Sequence, residues 1–165
     1  MARIDKTKKL RPSILDRLLD NEPGSNLDRD PDQHHKLKQL RDSVRRDLEN
    51  MLNTRFRMVE PGSEYPQLQK SLLNYGLPDL ATINIFDKIR RQEFIDHLET
   101  LLTEFEPRFK SVKISFMENK NTADKTLRFK IDAVLYADPS PEVVVFDSTL
   151  EPVTRTVNVE ETNYG

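Results

Sequence analysis

Three glutamates in the middle of the chain are the side chains that most readily suggest catalysis: Glu104, Glu106 and Glu118. Paired carboxylates cleave glycosidic bonds as acid and base, or as acid and nucleophile. Such a site also needs a cleft, aromatic platforms for the sugar and a carboxyl group with a raised pKa. The chain has no tryptophan and only 7% aromatic residues, and charged side chains are mostly exposed. We therefore expect no catalysis by these glutamates and keep a glycosidase as the alternative.

The histidines and glycines exclude other kinds of site. His34 and His35 are adjacent, so they diverge on a helix and cannot clamp a metal as an i, i+4 pair would. His97 is remote, and the chain has no cysteine. Only 4 glycines occur, without a G-x-G-x-x-G or P-loop pattern, and no serine lies in a nucleophile elbow. The sequence therefore predicts no metal, no cofactor and no catalytic triad.

A charged corner, Glu106-Pro107-Arg108, lies where a helical pattern stops and a strand pattern begins. Pro107 cannot continue the helix and pushes Glu106 toward extended geometry, in which residues two apart point the same way. Two interpretations follow. Arg108 bonds the last carbonyls of the helix while Glu106 pairs with a neighbouring base, or both side chains form a docking knob for a partner. The residues alone favour the structural interpretation, because arginine is expected near a helix C-terminus.

The composition of the chain argues against nucleic acid and membranes as binding partners. The 165 residues fit one compact domain with trailing segments. With 26 basic and 28 acidic residues the net charge is −2, so the basic footprint of a nucleic-acid-binding protein is missing. No apolar run is long enough to span a bilayer. The absence of cysteine is compatible with a reducing compartment, and we expect a soluble cytoplasmic protein without membrane insertion.

Residues 1–33 are predicted to form an N-terminal arm. A short amphipathic helix carries an apolar stripe, and a polar linker with Pro23, Gly24 and Pro31 follows it. The stripe consists of Ile14, Leu15, Leu18 and Leu19. Because two helical turns do not hold alone in water, this helix must dock on something. Its own domain and a partner remain equally open.

The main domain is predicted over residues 34–159. Apolar residues at three- and four-residue steps indicate a helix over 37–52, a short helix over 65–73 with a left-handed cap at Gly76, and a long helix over 84–104. The stripe of the long helix is Ile85, Ile89, Ile95, Leu98, Leu102 and Phe105.

Alternating patterns then predict strands over 112–116, 127–135, 142–146 and 153–159. Helices followed by a meander indicate an α+β fold, with N-terminal helices on one face of a small, mainly antiparallel sheet of three or four strands. The last strand, with Arg155 and Val157, is a candidate edge for pairing with a partner's strand. Residues 160–165 are expected to form a polar tail.

Five ordered motifs resemble the TssE family of type VI secretion baseplate subunits, which is similar to a small "lysozyme-like" wedge protein of phage baseplates. The resemblance covers residues 11 to about 159. Its motifs are PSILDRL (12–18), SVRRDLE (43–49) with LNTR (52–55), LNYGLPD (73–79), FEPR (105–108) and VFDS (145–148).

The resemblance implies an assembly protein without enzymatic activity, which helps to form the baseplate wedge and to start the contractile sheath. It implies that Glu106, Pro107 and Arg108 act in this assembly. The implied partners are the wedge subunits TssF and TssG, with TssK nearby, and the TssB–TssC sheath. A peptidoglycan-cleaving enzyme and a small regulatory adaptor of the same fold are the alternatives.

Overall fold

The structure, a computed structural model, describes residues 15, 18, 33–55, 64–78, 87–117, 119, 126–137, 140–151 and 154–162, without the side chains of residues 33–35 and 69. Leu15 and Leu18 have helical conformation. Ile14 and Leu19, the other members of the N-terminal stripe, lie outside the described residues.

The first long helix, α1 (Gln33–Asn53), confirms the helix predicted over 37–52. Its apolar stripe faces the interior, where Val44, Leu48 and Leu52 have no exposed surface. The opposite face carries polar side chains, among them Asn50. Amphipathic periodicity alone therefore fixes which face of α1 packs on the rest of the molecule.

A short helix, α2 (Pro66–Gln69), and a 3-10 turn (Leu72–Asn74) occupy the segment predicted as one short helix. Gly76 follows with φ 107°, as predicted for a left-handed position. A Cβ atom there would lie 2.5 Å from the Thr54 carbonyl oxygen. Glycine is required because Leu77 donates its N–H to that carbonyl at 2.8 Å, which brings the two backbones together.

The helix α3 (Lys88–Phe105) begins at Asp87, whose carboxylate accepts the N–H of Ile89 at 2.9 Å. This N-cap sets the start of α3 at Lys88. Residues 84–86 of the predicted helix, with Ile85 of its stripe, lie outside the described residues. Ile89 is 69% exposed, so its place in the buried stripe was wrong. Its step to Ile95 is not a whole number of helical turns, which puts the two residues on different faces. Phe94 and Leu101 are buried instead.

The sheet is a four-stranded antiparallel meander in the order β1-β2-β3-β4. Its strands are β1 (Phe109–Met117), β2 (Leu127–Leu135), β3 (Glu142–Glu151) and β4 (Thr156–Glu161). The prediction that β4 includes residue 155 was wrong: Arg155 has φ 58° and lies in the turn that its N–H closes on the Glu151 carbonyl at 2.8 Å. β4 also includes residues 160 and 161, which were expected in the tail.

One layer of helices covers one face of the sheet, which confirms the α+β prediction. α1 contacts β4 and α3 contacts β1. The buried core joins the two helices to the inward residues of all four strands, including Phe129, Ile131 and Phe146. Among the described residues, no helix has the length and apolar character needed to cross a membrane.

Candidate functional site

The corner between α3 and β1 is built around Glu106, the residue that ends the helix. Its N–H continues the helical ladder to the Leu102 carbonyl at 3.0 Å, and its carbonyl accepts the N–H of Phe109 at 3.1 Å. Pro107 between them is exposed. The turn therefore holds Glu106 and Arg108 on one side of a stiff segment, as the proline predicted.

Glu106 and Arg108 pair with each other. Arg108 donates from Nε to Glu106 Oε1 at 2.6 Å and from Nη2 to Glu106 Oε2, and its backbone N–H reaches Oε1 at 3.2 Å. The Glu106 side chain is 4% exposed and that of Arg108 is 24% exposed. The corner is thus a largely internal ion pair, and Glu106 is not part of the outer surface.

Two side chains of α1, one helical turn apart, hold the other side of the guanidinium. Arg108 Nη1 donates to Ser43 Oγ at 3.0 Å, and Nη2 donates to Asp47 Oδ2 at 2.7 Å. Tyr75 packs edge-on against Phe105 with ring centroids 5.4 Å apart. The corner therefore ties α1 to the junction of α3 and β1.

The electrostatics of the cluster follow from this packing. Burial alone would lower the pKa of Arg108, but the hydrogen bonds and charges of Glu106 and Asp47 outweigh burial and raise it. Burial, together with the negative charges of Asp47 and Glu106, raises the pKa of Tyr75 above 10.0. Arg108 is therefore a fixed cation, and Tyr75 is held in its neutral form.

The outer edge of β4 is also held by α1. The Asn53 side chain donates Nδ2–H to the Val157 carbonyl and accepts the Val157 N–H on Oδ1, both at 2.8 Å. Arg45 Nη1 donates to the Val159 carbonyl at 3.3 Å. The Val157 side chain is 2% exposed. These bonds occupy the Val157 N–H and the Val157 and Val159 carbonyls, which a partner strand pairing with the 153–159 segment would need.

The other edge of the sheet is β1. There the Ile114 N–H donates to Glu99 Oε1 of α3 at 2.7 Å and so points away from β2. Because alternate residues of a strand direct their backbone groups to the same side, those of Val112 and Phe116 also point outward. Among the described residues, the side chains of the helices thus make three bonds to the β4 edge and one to the β1 edge.

The remaining candidate residues are scattered. Leu15 and Leu18 are 53% and 76% exposed. Glu104 is an exposed residue of α3, and Glu118 lies outside the described residues. Within the part of the chain that the structure describes, no group of three His, Asp or Glu side chains is placed to hold a metal. The structure does not bring the predicted candidates into one site.

The part of the chain that contains the corner and its α1 anchors matches a known protein family. The model of a family described as baseplate wedge protein gp25 matches residues 38–140, which is more than half of the chain. The chain belongs to the baseplate wedge protein gp25 family. TssE belongs to the same family, so the resemblance seen in the sequence is confirmed at this level. No curated protein matches the chain significantly.

The gp25 family is one of structural subunits of phage-tail-like baseplates. The matched region contains the whole corner cluster and stops before β3. Ser43, Asp47 and Asn53 lie in the motifs SVRRDLE and LNTR, but no role was predicted for them. A serine and an aspartate at i, i+4 on the buried side of a helix were the available signal for the first two. No neighbouring residue in the sequence indicated the role of Asn53, because its partner Val157 lies in β4.

Proposed function

We propose that this gp25-family chain is a non-enzymatic structural subunit of a type VI secretion baseplate wedge that helps to dock and start the contractile sheath. The observation that carries the proposal is the family match over residues 38–140, which includes the corner and its α1 anchors. The five ordered motifs that resemble TssE favour the type VI system over other contractile machines. Proposed partners are TssF and TssG, with TssK nearby, and the TssB–TssC sheath, in the cytoplasm.

The buried position of Glu106 supports the non-enzymatic assignment. Both of its carboxylate oxygens accept bonds from Arg108, and the side chain is 4% exposed, so no oxygen is presented to a substrate. A turbidity assay on cell-wall sacculi, with a known lysozyme as positive control, tests this directly. We expect no clearing by the wild type. Clearing that Glu106→Gln abolishes would establish a peptidoglycan-cleaving enzyme.

The exposed part of the corner is the proposed contact with the wedge. Pro107 is exposed and rigid, and a quarter of the Arg108 side chain reaches the surface. Glu106 then acts by holding Arg108 in place. The corner therefore functions as a pre-formed docking element, in which few side chains must be ordered on binding.

Co-purification with TssF and TssG tests this contact. Pro107→Gln leaves the Glu106–Arg108 pair intact, and we expect it to weaken binding at least about fivefold, which is about 1 kcal/mol. Pro141→Gln is the matched control, because Pro141 is also exposed but lies between β2 and β3. Equal binding by the two variants contradicts docking through the corner. A regulatory adaptor would retain no wedge subunit even as the wild type.

The N-terminal helix is a second proposed contact. Leu15 and Leu18 share one face and are both mostly exposed, which supports docking on a partner. The Leu15→Ser/Leu18→Ser double variant should keep the unfolding transition of the wild type and lose wedge binding. A lower unfolding midpoint with unchanged binding would assign the helix to its own domain.

We place strand pairing with the sheath at the β1 edge, because α1 side chains already bond the β4 edge. Val112→Pro removes an outward-facing N–H without removing a β1–β2 ladder bond, and Val112→Thr is its control. We expect Val112→Pro to fold but fail to start TssB–TssC polymerisation. Normal polymerisation by a folded Val112→Pro variant would exclude strand pairing at this edge.

A further inference from the structure

The charged residues of the sheet are divided between its two edges. β1 contains Lys110 and Lys113 and no acidic residue, and β2 adds Arg128 and Lys130 against Asp132. In contrast, β3 and β4 contain no lysine or arginine. Their acidic residues are Glu142, Asp147, Glu151, Glu160 and Glu161. A strand added beside β1 would therefore meet a basic edge, whereas a strand added beside β4 would meet an acidic one.

Lys113 presents its charge on the face of the sheet that the helices do not cover. It is exposed, whereas Ile114, the next residue of β1, is 5% exposed and belongs to the core. Lys113 lies opposite Asp132 in the register, but the Asp132 carboxylate lies 3.8 Å from Lys130 Nζ. Lys113 has no ion pair among the described residues. Its ammonium group is therefore available to an acidic side chain on a neighbouring strand.

On the helix side of the same edge, α3 supplies a negative charge. Glu99 Oε1 accepts the Ile114 N–H at 2.7 Å, in the place that the carbonyl of a further strand would take. A strand that pairs with β1 must displace this carboxylate. The side chains that such a strand directs toward the helices would lie near Glu99, so acidic residues are disfavoured there. Acidic residues on the added strand therefore suit only the face of Lys113.

We infer that β1 pairs with an extended segment of a protein partner that carries acidic side chains at alternate positions, facing Lys113, and uncharged side chains between them. Opposite charges on adjacent strands stabilise their pairing, and like charges destabilise it. Glu99 caps the edge until the segment displaces it. The inference rests on the strand pairing at β1 proposed above and specifies the chemistry of the partner strand.

Two short peptides test the charge of the segment. One alternates glutamate with valine, and the other has lysine in place of glutamate. NMR titration of the full chain follows the amide signals of Val112, Ile114 and Phe116. At about 20 mM salt we expect the glutamate peptide to bind at least about fivefold more tightly than the lysine peptide. Because the chain has a net charge of −2, non-specific attraction would favour the lysine peptide instead. Equal binding, tighter binding of the lysine peptide, or unchanged amide signals with both peptides overturns the inference.

Lys113→Gln tests the residue that carries the preference. We expect the advantage of the glutamate peptide to fall to about twofold or less in this variant. Lys38→Gln is the matched control, because Lys38 is also exposed but lies in α1, which contacts β4. It should keep the preference of the wild type. An equal preference in the two variants overturns the role of Lys113.

Glu99→Ala tests the cap. It leaves the Ile114 N–H without its internal acceptor, so both peptides should bind about threefold more tightly or better. Glu104→Ala removes an exposed glutamate of the same helix and should bind both peptides as the wild type does. Unchanged or weaker binding by Glu99→Ala would show that the carboxylate does not compete with an added strand.

These titrations contain no sheath subunit, so they are independent of the proposed function. Preference for the glutamate peptide without TssB–TssC polymerisation would refute the sheath role alone. Normal polymerisation with equal binding of the two peptides would refute the inference alone.

Discussion

The corner and the β4 edge are both held by side chains of α1, but by different chemistry. At the corner, Ser43 and Asp47 hold a charged pair whose glutamate is buried. At the edge, Asn53 holds the two backbone groups of Val157 through a neutral, exposed amide. A buried charge that loses its partner is costly, whereas an exposed edge group that loses a cap is hydrated by water. The two contacts should therefore differ in energy even though each joins α1 to the sheet layer.

The difference also separates two functions of α1. The corner contact holds Pro107 and part of Arg108 in a fixed shape at the surface, and we propose that it serves recognition as well as stability. The Asn53 side chain bonds the N–H and the carbonyl of Val157, as a neighbouring strand would. It therefore protects an edge that could otherwise pair with other chains. We expect changes at the corner to affect stability and binding together, and changes at Asn53 to affect mainly local protection.

The largest effect is expected from Arg108→Met. It leaves Glu106 buried without its cation, which should lower the free energy of unfolding by about 3 kcal/mol. Urea unfolding measures this value. Adding Glu106→Gln to Arg108→Met removes the buried, unpaired carboxylate charge. The double variant should regain about 1 kcal/mol of the free energy of unfolding. A double variant that is less stable than Arg108→Met would show that the charge of Glu106 is not the source of the loss.

Asn53→Ala should have a smaller effect, about 1 kcal/mol, because the side chain is exposed and its lost bonds are neutral. The amide proton of Val157 should exchange faster in this variant, since Asn53 Oδ1 is its acceptor. Asn50→Ala removes another exposed asparagine of α1 and should stay within about 0.5 kcal/mol of wild type. Unchanged exchange at Val157 in Asn53→Ala would mean that the amide does not protect the edge.

The smallest effect is a pH dependence from Tyr75 at the corner. Its pKa is raised in the folded state above the ordinary 10.0, so the folded protein holds the phenolic proton more tightly than the unfolded chain. This contribution to stability is complete below pH 10 and is lost as the pH rises further. Between about pH 9 and pH 11, stability should fall more in the wild type than in Tyr75→Phe. If stability falls equally with pH in the wild type and in Tyr75→Phe, the Tyr75 hydroxyl does not interact with the charges of the corner.

Local periodicity was sufficient to predict most of the fold. The stripe of α1 and the alternation of β2 repeat over many residues, and the structure confirms both elements. The corner was located because a proline separates a helical from an alternating pattern. Errors arose at the ends of elements: Ile89, in the first turn of α3, was counted in a stripe that it does not share, and Arg155, just before β4, was taken for strand.

The partners of the candidate site could not be predicted in the same way. Periodicity shows which face of α1 is buried, but not which strand or corner that face meets. Asp47 and Arg108 are 61 residues apart, and Asn53 and Val157 are 104 residues apart. Such pairs are decided by how the layers pack. For that reason the sequence did not show that Arg108 bonds Ser43 and Asp47 of α1 as well as Glu106.

These long separations have a consequence for the order of folding. The four strands pair with their sequence neighbours, which is kinetically favourable, whereas α1 bonds the corner and β4 only across long stretches of chain. During synthesis α1 leaves the ribosome well before its partners, and at about 5–20 residues per second it waits roughly 5–20 s for β4. Its apolar stripe lacks the contacts with β4 throughout that interval, so we expect α1 to be the segment that a chaperone acting on the nascent chain would bind.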